Sequence, residues 1–431
     1  MRRVQARSNQ RYPWVAYAAW GWRLEIAVSA LGLVSLLIAS AVNRSAPLVV
    51  YAIAAFVLWK CPGLRGRFKA RSADIRNVSH FERALWHCGI VGRQGDIPRV
   101  LKTAPMPVGM RYLVRLSFGL HFEYIESCAP QLATALGART VQVKALPQCA
   151  TYVEVAVIYR NAFPSLLNSP LLNQPSTSLW QPIILGMAQT GDAVRLTLPE
   201  HNMLIGGEPG AGKSVALSTI IAAAALDLRV TITLLDGKQV ELAAWSRVAH
   251  TFVGPNQDDA IGALESVRRE MDQRYEALLA ARRRKLEPSD NTSLHVVVVD
   301  ELAFYLRGGS KVQRDLFGES LRDLVSRGRA AGIIVVAATQ KPSHDVIPTF
   351  IRDLFAFRLA MRCTSNDASD TILGQGWASE GYSAAAIEPR DRGVGYLLAE
   401  GAVPVLIKTP YLSDAEIDVL AARAEALRGV A

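Results

Sequence analysis

The sequence predicts an α/β chain whose larger part is a mostly parallel, doubly wound sheet. Three observations carry this expectation. From about Leu179 onward, short apolar runs alternate with longer helical patterns, as strand–helix–strand units require. Within that stretch Val296–Val299 reads "VVVV", apolar at every position, the pattern of a strand covered on both faces. And "NMLIGGEPGAGKSVAL", Asn202–Leu217, passes from an apolar strand through a glycine-rich turn into helix formers.

The remaining segments follow in order. Residues 1–23 form a basic N-terminus. Residues 24–60 predict a transmembrane helical hairpin. Ile26–Val42 is 17 residues without a charge, Ala46–Trp59 is another 14, and only Arg44 interrupts them. Basic residues flank both outer ends, which places both termini and the large domain in the cytoplasm of a multi-pass cell-membrane protein. A cleaved signal peptide is disfavoured, because the apolar run starts late and a second one follows at once. Residues 61–78, polar and basic with Gly and Ser, read as a linker. Residues 79–160 predict a small α/β accessory domain, with a helix at "APQLATALGA" and strands at "TVQVKAL" and "YVEVAVIYR". Residues 161–178, rich in Pro, Ser and Asn, read as a second linker. Residues 179–412 hold the large domain, and residues 413–431 one C-terminal helix.

Charge is unevenly placed. Eleven of the 48 Lys/Arg and two of the 38 Asp/Glu fall in residues 1–75, so that segment carries +9 of the net +10. The rest is close to neutral, and bulk charge therefore gives the large domain no nucleic-acid signature. The five cysteines are scattered, with no CxxC and no His/Cys cluster, which excludes a zinc-site reading and fits reduced thiols.

The chemistry concentrates in three strand ends. Gly207-Glu208-Pro209-Gly210-Ala211-Gly212-Lys213-Ser214 fits GxxxxGK[ST] in full. Its backbone N–H groups and helix N-terminus suit phosphate oxygens; Lys213 would reach the β/γ-phosphates of ATP and the Ser214 hydroxyl would ligate Mg²⁺. Asp300, ending the "VVVV" strand, would hold Mg²⁺ through water, and Glu301 would orient and deprotonate the attacking water. "GIIVVAATQKP" ends a third strand at Thr339 and Gln340, and the Gln340 amide is a candidate contact for the γ-phosphate or the water. Arg327, Arg329 and Arg362 are candidate arginine fingers, against the plainer reading of solvated helix and strand ends. "LLDGKQVEL" reads as a strand-to-helix turn, and Arg282–Lys285 as a solvated basic face.

In this order, "NMLIGGEPGAGKS", "LLDGKQVEL", "MDQRYEALLAARRRK", "VVVVDELA", "RGRAAGIIVVAATQKPSHDVI" and "SDTILGQG" resemble the motor of FtsK/SpoIIIE-type DNA translocases, from about Leu179 to Tyr411. The segment from "VGMRYLVRLSF" to "VQVKAL" resembles the small domain that precedes that motor. A single motor behind a two-span N-terminus, with the wording "CTSNDASDTILGQGWASEGYSA", is most similar to TraB/TraSA-type conjugative transfer proteins of actinomycete mobile elements. The resemblance implies a RecA-like P-loop NTPase hydrolysing Mg²⁺-ATP. It implies a homo-oligomer, a hexameric ring, with an arginine supplied in trans and double-stranded DNA in the central channel. It stops about 20 residues before the end, leaving no winged-helix module, so the expectation is loading through a separate DNA-loading or transfer-accessory protein, or by topology. Two alternatives stand beside conjugative transfer: the FtsK-like ATPase of a type VII protein secretion system, and chromosome partitioning. A non-motor scaffold is disfavoured by the intact Lys213, Ser214, Asp300 and Glu301 set.

Overall fold

The computed structural model describes residues 62–430 except 147–148, 161–162, 291, 341–348 and 400–401. The expected membrane hairpin at 24–60 lies outside the described residues. Among those described, no helix is long and apolar enough to cross a membrane. The chain divides into two compact units, Met1–Asn161 and Ala162–Ala431.

The first unit begins with helix α1, Pro62–His87. Of the stretch read as a linker, 61–78, the described residues 62–78 are helical. Arg, Lys and Ala, which favour helix, supply seven of residues 62–78, and Pro62 stands at the first position of the helix. Its N-terminal part shows no apolar period, so the pattern looked unstructured. The anchor comes later, where Phe81, Ala84 and Leu85 are buried at helical spacing. Strands β1 (Arg99–Met106) and β2 (Gly109–Arg115) follow, then α2 (Phe122–Ser127), α3 (Ala129–Leu136), β3 (Thr140–Ala145) and β4 (Tyr152–Ile158). The strands form an antiparallel sheet in the order β1-β2-β4-β3. Phe81 of α1 stacks on Tyr112 of β2, with ring centroids 4.2 Å apart.

The second unit is built on a ten-stranded sheet. In chain order it contains β5 (Ile183–Ala188), β6 (Ala193–Leu196), β7 (Met203–Gly206), α4 (Lys213–Ala225), β8 (Val230–Asp236), β9 (Thr251–Val253), α5 (Gln257–Ala280), β10 (Leu294–Asp300), α6 (Leu302–Arg307), α7 (Lys311–Arg327), β11 (Ile333–Thr339), α8 (Thr349–Arg352), β12 (Phe357–Met361), α9 (Asn366–Leu373), β13 (Val394–Leu398), β14 (Val405–Lys408) and α10 (Asp414–Val430). The strand order is β6-β5-β14-β13-β12-β7-β11-β10-β8-β9. From β12 to β9 all pairings are parallel; from β12 to β6 they are antiparallel. The sheet is therefore mixed. The parallel half is doubly wound: Val296 and Val298 of β10 face the cluster that holds α4 and α10, while Val297 and Val299 face the cluster that holds α5, α7 and α9. Each of these valines is fully buried, worth about 1.5–3 kcal/mol apiece.

The second stretch read as a linker, 161–178, has long-range hydrogen bonds among its described residues. Described residues of this stretch belong to the second unit and are strapped to it. Lys408 Nζ donates to the carbonyls of Pro164 and Ser165, at 2.8 and 3.0 Å. Arg423 of α10 donates to the carbonyls of Leu171, Leu172 and Gln174. Backbone carbonyls in a proline-rich stretch have few local N–H partners, so distant cations take that role.

Candidate nucleotide site

The glycine-rich turn joins β7 to α4, at the C-terminal edge of the parallel strands, where ligands of open α/β sheets bind. Two glycines are required for different reasons. Gly210 has φ +76° with open space around it, so conformation alone demands it. Gly212, φ +108°, also lies against Gly393; a Cβ there would meet Gly393 N at 2.9 Å. Gly393 N donates to Ala211 O at 2.9 Å, fixing the turn to the start of β13.

Lys213 is the first residue of α4 and is only 6% exposed. Its ammonium donates to the Glu208 carbonyl at 3.0 Å. Burial lowers its pKa, while the charges of Glu301 and Asp300 pull it back up. Ser214 follows on the same helical turn. Arg362, directly after β12, grips the turn twice: its guanidinium meets the Glu208 carboxylate at 2.5 Å, and its carbonyl accepts from Glu208 N at 2.9 Å.

Asp300 closes β10 and is 4% exposed. Its Oδ2 is buried and has no hydrogen-bond partner among the described residues. Burial pushes its pKa up to about 6, with Lys238 opposing and Glu241, Asp236 and Glu301 adding to the rise. An unsatisfied buried carboxylate oxygen at a strand end, among other acids, is what a hard divalent cation such as Mg²⁺ satisfies. Ser214 and Asp300 thus fit as its holders.

Glu301 adopts φ +57°, a left-handed conformation rare for a side-chain-bearing residue. Its carboxylate accepts from Thr339 Oγ1 at 3.1 Å and from the Gln340 backbone N–H at 3.1 and 3.2 Å. The strain aims the acid across the ends of β10 and β11. Gln340 meets Glu301 through its main chain.

The other two arginines lie elsewhere. Arg327 ends α7, pairs with Asp323 and Asp272 at 2.9 and 2.6 Å, and sits over the Tyr275 ring. Arg329 lies 3.7 Å from Glu200. Both precede β11, whereas the site follows it. That strand is seven residues long, about 20 Å. Neither arginine reaches the phosphate cradle of its own chain.

Sequence reasoning missed several supports. Asp236, paired in register with Asp300, spends its carboxylate on the backbone N–H groups of Lys238, Gln239 and Leu242. It shapes a loop that continues into a 3-10 turn, Ala243–Val248, not the helix expected there. Asn202 donates to Val325 O and accepts from Val335 N, tying β7 to β11. The LLDGKQ wording exposed Asp236 as a strand-end acid; the Arg362–Glu208 grip had no local signal.

A strand–glycine turn–helix with a buried lysine, a neighbouring strand-end Asp-Glu pair and a third strand end touching that acid defines a P-loop ATPase motor domain. Residues 176–374 match the FtsK/SpoIIIE family, and the chain carries a motor domain of that family. It is 30% identical to a DNA translocase FtsK of Listeria monocytogenes over 336 residues, covering 72% of this chain and 43% of that one. It is 30% identical to the DNA translocase SpoIIIE of Bacillus subtilis over 338 residues, covering 72% and 41%. The chain thus spans less than half the length of these curated relatives. Among solved structures, the pCW3 conjugation coupling protein TcpA, a monomer form with ATPγS, matches with a TM-score of 0.54 at 18% identity, covering 82% of this chain and 99% of that one. EssC (ATPases 2 and 3) from Geobacillus thermodenitrificans matches at 0.51 and 15% identity, covering 62% and 52%. These two likenesses concern the fold.

Proposed function

We propose that this protein is a membrane-anchored, Mg²⁺-ATP-driven translocase of double-stranded DNA that acts in conjugative transfer between cells. The observation that carries the reading is the unpartnered Oδ2 of Asp300, in electrostatic contact with Lys213 and Glu301, inside a domain of the FtsK/SpoIIIE family. Such a cluster has no structural use for its buried charge, and a nucleotide-hydrolysing motor does.

Bound Mg²⁺ supplies charge neutralisation at the β- and γ-phosphates. The chain supplies the rest. Lys213 exchanges the Glu208 carbonyl for phosphate oxygen. The N–H groups of the turn and of α4 hold the remaining phosphate charge. Glu301 leaves Thr339 and Gln340 to take the proton of a water that attacks the γ-phosphorus, while the bond to the β–γ bridging oxygen breaks. Its tie to β11 makes that strand end the element that senses hydrolysis. Arg327 and Arg329, remote from their own cradle, suit a neighbouring subunit's nucleotide in a hexameric ring around DNA. Anchoring rests on the two apolar runs and their basic flanks; the transfer role rests on the single-motor wording and on the fold shared with a conjugation coupling protein.

The test is steady-state ATPase of the protein with and without plasmid duplex DNA across a salt series. The reading expects stimulation of at least about tenfold that fades as salt rises. A flat response with intact ATPase would sink the DNA reading and favour protein export.

A further inference from the structure

The four-stranded sheet of the first unit packs one face on its helices; the other face carries exposed cations, with Ala156 and Ile158 buried on it toward the end of β4. Tyr112, Val114, Val141, Val153 and Val155 are buried in the cluster that holds Phe81 and Leu85 of α1 and Leu132 of α3. Alternation along each strand then turns Lys102, Arg111, Arg115, Lys144 and Glu154 to the opposite face. A bulge in β1, where the register slips between Val100 and Lys102, keeps Lys102 on that face, opposite Leu113. Leu113 pairs in turn with Glu154, and Glu154 with Lys144, so Lys102 and Lys144 stand at the two ends of one row across all four strands. Arg115 stands two residues further along β2. The one acid on this face, Glu154, meets Arg111 at 3.3 Å. Lys102, Arg115 and Lys144 are exposed and form no ion pair among the described residues. Glu82, Glu123 and Glu126 belong to α1 and α2.

We propose that the exposed part of this face holds the phosphate backbone of duplex DNA through Lys102, Arg115 and Lys144, without reading base sequence. The proposal rests on the DNA reading above. Three exposed cations outside any ion pair among the described residues, against one acid on the same face, attract a polyanion rather than an apolar partner. Lys102 and Lys144 are separated by three strand spacings, about 14 Å, close to the roughly 12 Å width of a major groove. The two ammonium groups therefore suit phosphates on either side of one groove, with the Arg115 guanidinium on the same backbone further along. Lysine and arginine contacts of this kind position a duplex and leave its sequence unread. They give the first unit a duplex-holding role apart from the motor, whose bulk charge is near neutral. An anionic lipid surface is the other polyanion of matching charge, and the test separates the two.

The experiment is fluorescence anisotropy of a labelled random-sequence duplex titrated with the full chain, across a salt series. The triple variant Lys102→Gln/Arg115→Gln/Lys144→Gln is compared with the native chain. Loss of three phosphate contacts flattens the slope of log Kobs against log salt by about 2.7 and weakens binding about tenfold or more. ATPase without DNA stays unchanged, since none of the three residues belongs to the motor. A native slope in the triple variant would overturn the proposal while leaving the DNA reading intact. Loss of binding to phosphatidylserine vesicles with unchanged duplex affinity would overturn it in favour of the membrane. A native chain that binds no duplex at all would remove the DNA reading itself, and this proposal with it.

Discussion

Asp300 is the residue at which metal binding would be coupled to pH. Burial pushes its carboxyl up to about 6 from an ordinary 3.8, and its Oδ2 has no hydrogen-bond partner among the described residues. A raised carboxyl favours the nucleotide-free fold fully below the ordinary value and loses that favour as pH rises through about 6. Asp300→Asn should therefore raise the Tm of the nucleotide-free protein at pH 7.5, with the gain fading below pH 6. In the native chain, protons compete with the cation, so the Mg²⁺ concentration for half-maximal ATPase should climb as pH falls from 7 to 5.5. A pH-independent Mg²⁺ requirement would contradict the assignment. Glu208 is the second residue of this kind. Its carboxylate neutralises Arg362 and its carbonyl holds Lys213. Removing only the negative charge frees the Arg362 cation beside the phosphate cradle. Glu208→Gln should tighten nucleotide binding several-fold and slow product release. This would be read as a lowered KM with a lowered kcat, whereas a merely structural loss would raise KM. The sequence exposed Glu208 and Arg362 as separate candidates, but their pairing joins β12 to the β7–α4 turn and has no local pattern to betray it.

At the scale of elements, α4 is the part that must not move. It carries Lys213 and Ser214, and from Ala216 to Ala225 it is buried on every side. Its last carbonyls lack intrahelical partners. Arg428 of α10 supplies them, donating to Ala224 O and Ala225 O at 3.2 and 3.1 Å and to Asp227 O and Val230 O at 3.0 Å. Arg428→Ala should cost about 1–3 kcal/mol, seen as a lower Tm, and raise KM for ATP while Lys213 remains in place. Lys at the same position should restore part of the stability, since it keeps the charge and loses the fork. Unchanged thermal stability in Arg428→Ala would contradict this role for α10. The parallel half of the sheet was legible in the sequence because strands covered on both faces must be apolar throughout, as in "VVVV". The antiparallel half was not, because β6 and β14 are four residues each and pair through turns that leave little periodicity. α1 escaped notice because its first half has no apolar stripe, and the 161–178 stretch because its order comes from Lys408 and Arg423, far along the chain.

The whole molecule joins a P-loop motor, a basic-faced sheet unit and an N-terminal segment read as a membrane anchor. The motor was legible because its chemistry sits in short contiguous words, each at the end of a strand. The trans role proposed for Arg327 and Arg329 was legible only as one of two readings, because it depends on a second copy. What the chain does as a whole rests on one claim, that hydrolysis at Asp300 and Glu301 drives motion along duplex DNA. ATP-dependent displacement of a triplex-forming oligonucleotide from a linear duplex measures that motion directly. The account predicts stripping by the native chain with ATP and Mg²⁺, and none by Glu301→Gln, which still binds ATP but hydrolyses it at least about a hundredfold more slowly. Rapid DNA-stimulated hydrolysis by the native chain with the third strand left in place would contradict it.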